Sequence, residues 1–372
     1  LFEKKIKNNS IQILMSTIRV LVVDDSAIVR NKLSTELNRY PDIQVVGTAM
    51  NPYIARDKIV ELNPDVITLD VEMPRMDGIT FLKKLMKFYP KPVIIISSLT
   101  KKGSEIALEA IQAGAVEVMC KPGGSYSVGN LSEQLAHVIR AANAANLNVK
   151  NQISSSVLSK PVQTKPSQVT TRQGVISRGL EYHPSSLIAI GASTGGTEAL
   201  TTLLKTMPVD CPPILIVQHM PAHFTEAFAN RVNQLCDIEV REAKDGDKVT
   251  PGLALIAPGN YHMLLKNSLG NLSVVVKDGP KVHHQRPAVD VLFQSIAKSH
   301  PKNIAAAILT GMGKDGAVGM LKLLELGNKT IAQNEATCVV YGMPKEAVNM
   351  GAAQKVLPLD QITNQLLQFC KT

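Results

Sequence analysis

Two groups of residues in this chain have the types and spacing that chemistry requires. The first is Gly191-Ala-Ser193-Thr-Gly195, which follows the apolar run Leu187-Ile-Ala-Ile190 and precedes a helical pattern opening at Thr197. A serine on a glycine turn between strand and helix meets a substrate with free backbone N–H groups of the helix start beside it. The spacing is that of a G-x-S-x-G nucleophile elbow, although a glycine turn at this place can also be a plain tight connection. The second group is Asp24, Asp25, Asp70, Ser97 and Lys121, each at the carboxyl end of an apolar run. Three carboxylates converging on one sheet edge repel one another unless a cation neutralises them, and all-oxygen ligation with open positions suits Mg²⁺. A hydroxyl and an ammonium opposite them would hold a phosphoryl group carried by Asp70.

A serine nucleophile needs a base and a group that orients the base. His219 ends the run Ile214-Leu-Ile-Val-Gln218, on the edge that also carries Ser193, and is the favoured base among eight histidines. His223 stands four residues on, but Pro221 breaks the helix that a metal pair would need. His283 and His284 precede Gln285-Arg-Pro287 in a polar loop. For the orienting acid, Asp315 lies in Leu309-Thr-Gly-Met-Gly-Lys-Asp-Gly316, directly after another buried run. Asp290 competes with it, and could instead cap the helical pattern that follows. The order serine, histidine, aspartate differs from that of α/β-hydrolases, where the acid precedes the histidine, so this would be a triad on an unrelated scaffold. Tyr341-x-x-x-Lys345 matches the spacing of a dehydrogenase Tyr–Lys pair, but Gly342 and Pro344 interrupt the helix that pair requires.

The elements that must position these residues follow from periodicity. Residues 18–145 read as five strands (18–23, 43–49, 66–69, 93–97, 116–119) alternating with five amphipathic helices (27–39, 54–62, 79–88, 104–113, 131–145). That alternation implies a doubly wound parallel sheet with its ligand site at the carboxyl ends of the strands. Residues 146–184 are rich in Ser, Thr, Gln and Pro and read as a flexible linker, with a root-mean-square span of about 35 Å. Residues 185–372 form a second, larger α/β unit. Its strands are expected at 187–190, 214–218, 254–257, 273–277, 304–309 and 330–333, and its helices at 197–205, 224–235, 289–299, 317–326 and 362–369. Apolar runs such as Leu187-Ile-Ala-Ile190 suit parallel strands covered on both faces. Residues 1–17 read as an N-terminal extension, with Met15 the more natural start.

Composition narrows the function classes. The net charge of +9 invites a nucleic-acid reading. Most of the excess, however, sits in Lys4, Lys5 and Lys7 and in Lys150, Lys160, Lys165, Arg172 and Arg178, outside both units. Aromatic residues are only 4%, and no basic recognition helix is visible, which argues against nucleic acid. Five scattered cysteines, none in a C-x-x-C pair, fit neither a disulfide framework nor a zinc site and suit a reducing compartment. The first residues lack a signal core, and no apolar run reaches the length of a membrane span, so a cytoplasmic protein without membrane insertion is expected.

Val22-Val-Asp-Asp-Ser26, Leu69-Asp70-Val-Glu-Met-Pro-Arg-Met-Asp-Gly78 and Lys121-Pro122 resemble the receiver domain of two-component response regulators. Gly191-Ala-Ser-Thr-Gly-Gly-Thr-Glu198, Gln218-His-Met-Pro221, Arg286-Pro-Ala-Val-Asp-Val-Leu-Phe293, Leu309-Thr-Gly-Met-Gly-Lys-Asp-Gly-Ala317 and Tyr341-Gly-Met-Pro-Lys-Glu-Ala347 resemble the chemotaxis protein-glutamate methylesterase family, CheB. The resemblance implies a flavodoxin-like receiver and a Rossmann-like methylesterase domain, both doubly wound parallel α/β folds. It implies Ser193 as nucleophile, His219 as base, Asp315 as orienting acid, and backbone N–H groups near Thr194 and Met312 as the oxyanion site. In the receiver it implies phosphorylation of Asp70 by a chemotaxis histidine kinase, Mg²⁺ held by Asp24, Asp25, Asp70 and the carbonyl of Glu72, Ser97 as switch hydroxyl and Lys121 as phosphoryl ligand. The substrates would be γ-glutamyl methyl esters and certain glutamines of methyl-accepting chemoreceptors, the catalytic domain would need no cofactor, and the enzyme would act as a monomer. Val118 departs from the receiver pattern, which places an aromatic three residues before the lysine.

Overall fold

A computed structural model describes residues 17–73, 76–97, 100–121, 128–147, 149, 182–300 and 302–371. The linker reading at 146–184, the extension, Ser98 and Pro122 therefore fall largely or wholly outside the described residues. The first sheet contains β1 (Ile18–Val23), β2 (Ile43–Ala49), β3 (Val66–Asp70), β4 (Val93–Ser97) and β5 (Glu117–Cys120) in the order β2-β1-β3-β4-β5, with every pair parallel. Helices α1 (Ala27–Leu37), α2 (Pro52–Leu62), α3 (Gly78–Phe88), α4 (Lys101–Gln112) and α5 (Val128–Asn143) cover its two faces. Four of them start at a side-chain cap: Ser26, Asn51, Asp77 and Thr100 each accept an N–H from the first turn.

The second sheet has seven strands. These are β6 (Leu187–Ala192), β7 (Ile214–Gln218), β8 (Glu239–Glu242), β9 (Leu253–Ile256), β12 (Ile304–Ile308), β13 (Lys329–Gln333) and β14 (Lys355–Leu357), in the order β14-β13-β12-β6-β7-β9-β8. All its pairs are parallel, and β6, β7, β9 and β12 are buried along their whole length. Its helices are α6 (Gly196–Leu204), α7 (Phe224–Leu235), α8 (Val289–Ser299), α9 (Ala317–Glu325), α10 (Met343–Asn349) and α11 (Leu359–Phe369). Both domains are thus parallel α/β layers with an apolar core on each sheet face.

Three expectations change. The strand expected at 273–277 is not in the parallel sheet: β11 (Asn271–Lys277) pairs antiparallel with β10 (His262–Ser268) in a separate hairpin. Its outer half is polar and exposed, as suits a ribbon with one wet face. Short β8 and β14 extend the sheet at its two edges, where alternating polar residues hide the strand signal. Gly342 does not interrupt a helix but precedes α10, and Pro344 sits in its first turn, where a missing N–H costs nothing. Tyr341 therefore stands outside the helix that holds Lys345, as the dehydrogenase reading could not accommodate.

The domains pack through α4 and α7. Leu108 of α4 is buried in the core of the second domain, and Phe224 at the start of α7 is buried in the core of the first. The Asn146 N–H donates to the Val339 carbonyl at 2.8 Å. Among the described residues no helix is long and apolar enough to cross a membrane.

Candidate active site and phosphoacceptor site

β6 ends at Ala192 and β7 at Gln218, and these two residues are register partners. Ser193 and His219 are the next residues of each strand, so parallel pairing alone sets them side by side. Hydrogen bonds pin this junction. The His219 N–H donates to the Ala192 carbonyl at 3.1 Å, and the buried Gln218 amide donates to the carbonyls of Ser193 (3.0 Å) and His219 (3.2 Å). On the other side of β6, the loop after β12 closes in. The Ser193 N–H donates to Thr310 O at 3.0 Å, Thr310 Oγ1 donates to Thr194 O at 2.9 Å, and Gln333 Oε1 accepts the Thr310 N–H at 2.8 Å. A Cβ on Gly311 would stand 2.6 Å from the Ser193 Cβ, so only glycine allows this approach. Gly195, at φ +79°, makes the turn from β6 into α6.

Asp315 is buried beside His219. Its Oδ2 lies 2.8 Å from His219 Nε2 and accepts the Val289 N–H at 2.7 Å, while Oδ1 accepts the Asp290 N–H at 2.9 Å. Burial alone would raise its pKa; the His219 hydrogen bond and the two amides opening α8 outweigh that and hold it below the ordinary carboxylate value. A charged carboxylate only accepts, so Nε2 carries the ring proton and the Nδ1 lone pair is the basic site. That Nδ1 is buried without a hydrogen-bond partner, so the bond from Ser193 is unmade in this arrangement. Asp290, the competing acid, faces elsewhere: it accepts the Gly319 N–H at 2.6 Å and pairs with His283 Nε2 at 3.1 Å. Burial pushes its pKa up. The amides of Thr194 and Met312 donate to no backbone carbonyl among the described residues, which leaves both available to an oxyanion.

In the first domain, Asp24 and Asp70 are buried, Asp25 is exposed, and one ligand oxygen from each lies within 4.8 Å of the others. Lys121 Nζ stands 2.7 Å from Asp70 Oδ2 and 3.5 Å from Asp24 Oδ2. Asp70 Oδ1 accepts the Glu72 N–H at 3.1 Å. Burial pushes the Asp70 pKa up to about 6, against the opposing Lys121 ammonium and with added repulsion from Asp24. Asp24 Oδ2 is buried without a hydrogen-bond partner. A crowded, partly orphaned carboxylate set of this kind fits a divalent cation taking oxygen ligands. Ser97, buried at the end of β4, donates to Gly103 O at 3.4 Å, at the start of α4.

The catalytic residues face a cleft between the domains, and Lys121 of the phosphoacceptor site reaches its edge. A cavity of about 510 Å³ between the domains is lined by Ser193, Thr194 and His219 from the second and by Lys121, Glu133 and His137 from the first. Ser193 and His219 are each only 8% exposed. The sequence reading expects the receiver to cover the Ser193 edge, but not the scaffolding by Gln218, Thr310 and Gln333. A polar residue ending an apolar run was the available signal for Gln218 and Gln333.

Residues 188–366 match the family model described as CheB methylesterase, and residues 20–128 match the response regulator receiver domain. The chain is 58% identical to the protein-glutamate methylesterase/protein-glutamine glutaminase 2 of Syntrophus aciditrophicus, over 95% of this chain and 100% of that one. It is 48% identical to the protein-glutamate methylesterase/protein-glutamine glutaminase of Escherichia coli, over 95% and 97% of the two chains. Among solved structures, the Thermotoga maritima CheB methylesterase catalytic domain is similar at 40% identity and a TM-score of 0.48, covering 49% of this chain and 97% of that one.

Proposed function

This chain belongs to the CheB methylesterase family, and we propose that Ser193, His219 and Asp315 hydrolyse glutamyl methyl esters on chemoreceptors under control of phosphorylation at Asp70. It is a protein-glutamate methylesterase and protein-glutamine glutaminase that carries a receiver domain. The observation that carries the catalytic assignment is the charged Asp315 on His219 Nε2, which leaves Nδ1 basic beside Ser193. Ser193 Oγ attacks the ester carbonyl as Nδ1 takes its proton. The Thr194 and Met312 amides hold the oxyanion. Collapse expels methanol, protonated by His219, and a water activated by the same nitrogen hydrolyses the acyl-enzyme to glutamate. With glutamine the leaving group is ammonia and the path is the same. The relatives' names support both activities.

Control is read from the cleft. The receiver lines the cleft over the buried Ser193, which supports a docked form that blocks access to the nucleophile. Asp24, Asp25, Asp70 and Glu72 would hold Mg²⁺, which neutralises the carboxylates while a histidine kinase or small phosphodonor loads Asp70. Ser97 and Lys121 would hold the phosphoryl group. Ser97 already bonds α4, the helix that packs on α7, so its movement can reach the domain interface.

Methanol release from methylated chemoreceptor membranes, measured with and without a phosphodonor, tests this. Asp70→Asn, or removal of Mg²⁺ by chelation, is expected to abolish the increment the phosphodonor produces. An increment that survives both would place the switch elsewhere. Leu108→Asp should raise activity without any phosphodonor. A buried leucine contributes about 1.5–3 kcal/mol, so its loss shifts the docked–open equilibrium about tenfold to a hundredfold. Unchanged basal activity in that variant would sink the occlusion model.

A further inference from the structure

The turn beside the catalytic residues is built against its backbone preferences. Val282 and Gln285 exchange both backbone hydrogen bonds, at 3.0 and 2.9 Å, closing a two-residue hairpin. Its central residues, His283 and His284, both have positive φ, 51° and 62°. Turns of that form favour Asn-Gly, and two histidines there are held only by their surroundings. The turn sends the rings to different partners. His283 pairs with Asp290 inside the domain, which anchors the turn. His284 reaches the receiver, its Nδ1 standing 3.3 Å from Glu133 Oε1 on α5.

The charges around this contact are one-sided. Lys281 and Arg286 are the charged side chains that the catalytic domain contributes to the cavity around Ser193 and His219, and both are cations. Arg286 is committed to Asp278, the Gly279 carbonyl and Asn260. Lys281 is exposed, and it lines the same cleft as Glu133, with Arg286 the neighbouring charge on its own side. In the closed enzyme, then, a glutamate carboxylate of this same chain stands against the His284 ring, in the cleft that Lys281 also lines.

We propose that Lys281 and His284 form a carboxylate subsite that takes an acidic side chain of the substrate protein beside the scissile glutamyl ester, and that Glu133 fills this subsite while the domains are docked. The proposal rests on the reading of Ser193 as the nucleophile. Lys281 supplies a fixed charge and His284 a ring N–H donor. A single exposed ion pair contributes little, so Glu133 is a stand-in and not the main lock. On the catalytic-domain side of the cleft the charged side chains are cations, and such a surface raises encounter with the opposite charge, by about tenfold, in a salt-dependent way.

The test uses the full chain with phosphodonor and two synthetic peptides that each carry one glutamyl γ-methyl ester, flanked by glutamates in one and glutamines in the other. The kcat/KM ratio, taken within each enzyme, cancels any general loss of activity. The glutamate-flanked peptide is expected to be favoured about tenfold at low salt, with the ratio falling toward one as salt rises. In Lys281→Glu the ratio should fall below one, and in His284→Gln it should lie between. A ratio near one in the unmodified enzyme, or one that Lys281→Glu does not move, overturns the subsite. Peptide affinity measured in parallel separates the two readings. A tenfold affinity preference without methanol release supports the subsite and tells against the nucleophile; equal affinities overturn the subsite whatever the chemistry.

Discussion

Ser193→Ala is expected to lower methanol release by about 10⁵-fold, to the level that oxyanion contacts and substrate binding alone sustain. The size follows from how the junction is made. The Ser193 backbone is fixed by its own N–H on Thr310 and by Gln218 on its carbonyl, so removing Oγ leaves the frame standing. What disappears is the atom that Nδ1 of His219 would deprotonate. Stability should change by about 1 kcal/mol or less, since in this arrangement His219 Nδ1 has no bond from that hydroxyl to lose. The phosphodonor should not rescue the variant, because the switch controls access and not chemistry. Thr194→Val is the natural control: the role assigned to Thr194 is that of its amide, which the substitution leaves in place. A near-normal rate in Ser193→Ala together with an inactive Thr194→Val would move the nucleophile one residue along the chain.

The parts of this site that were legible in the sequence are those set by strand ends. An apolar run closed by a polar residue marks the carboxyl edge of a parallel sheet. Ser193, His219, Asp24, Asp70, Ser97 and Lys121 all announce themselves that way. The choice between Asp315 and Asp290 was not legible. Each follows or opens an element, and only the helix-start amides of Val289 and Asp290 pointing at Asp315 decide it. The β10–β11 hairpin was half legible, because its alternating polar face resembles an edge strand and nothing local names its partner. The His283–His284 turn carries no glycine or asparagine to mark it. The docking contact itself was illegible for a different reason. It depends on Leu108 and Phe224, which look like ordinary core residues of their own helices until the two domains are placed together.

Asp315→Asn should cost about 10⁴-fold in turnover with the fold retained, and the cause is a conflict that an amide cannot resolve. Both carboxylate oxygens accept backbone N–H groups, Oδ2 from Val289 and Oδ1 from Asp290, and Oδ2 also takes the His219 proton. An asparagine has one oxygen. If its NH₂ stands at the Oδ2 position, it donates to Nε2, the ring proton moves to Nδ1, and His219 can no longer accept a proton from Ser193. If the NH₂ stands at the Oδ1 position, it opposes the Asp290 N–H and the amide is forced out of line. In both cases the charge that would stabilise the imidazolium is gone. The pH dependence of stability checks the same geometry without substrate. The folded-state pKa of Asp315 lies below its unfolded value of about 3.9, so its contribution is fully present above roughly pH 4 and is lost as the pH falls through the folded value. The stability gap between the parent chain and Asp315→Asn should therefore narrow in acid. A gap that stays constant down to pH 2 would mean that folding does not favour the charged form of Asp315, and the Nε2–H tautomer on which the mechanism depends would lose its basis.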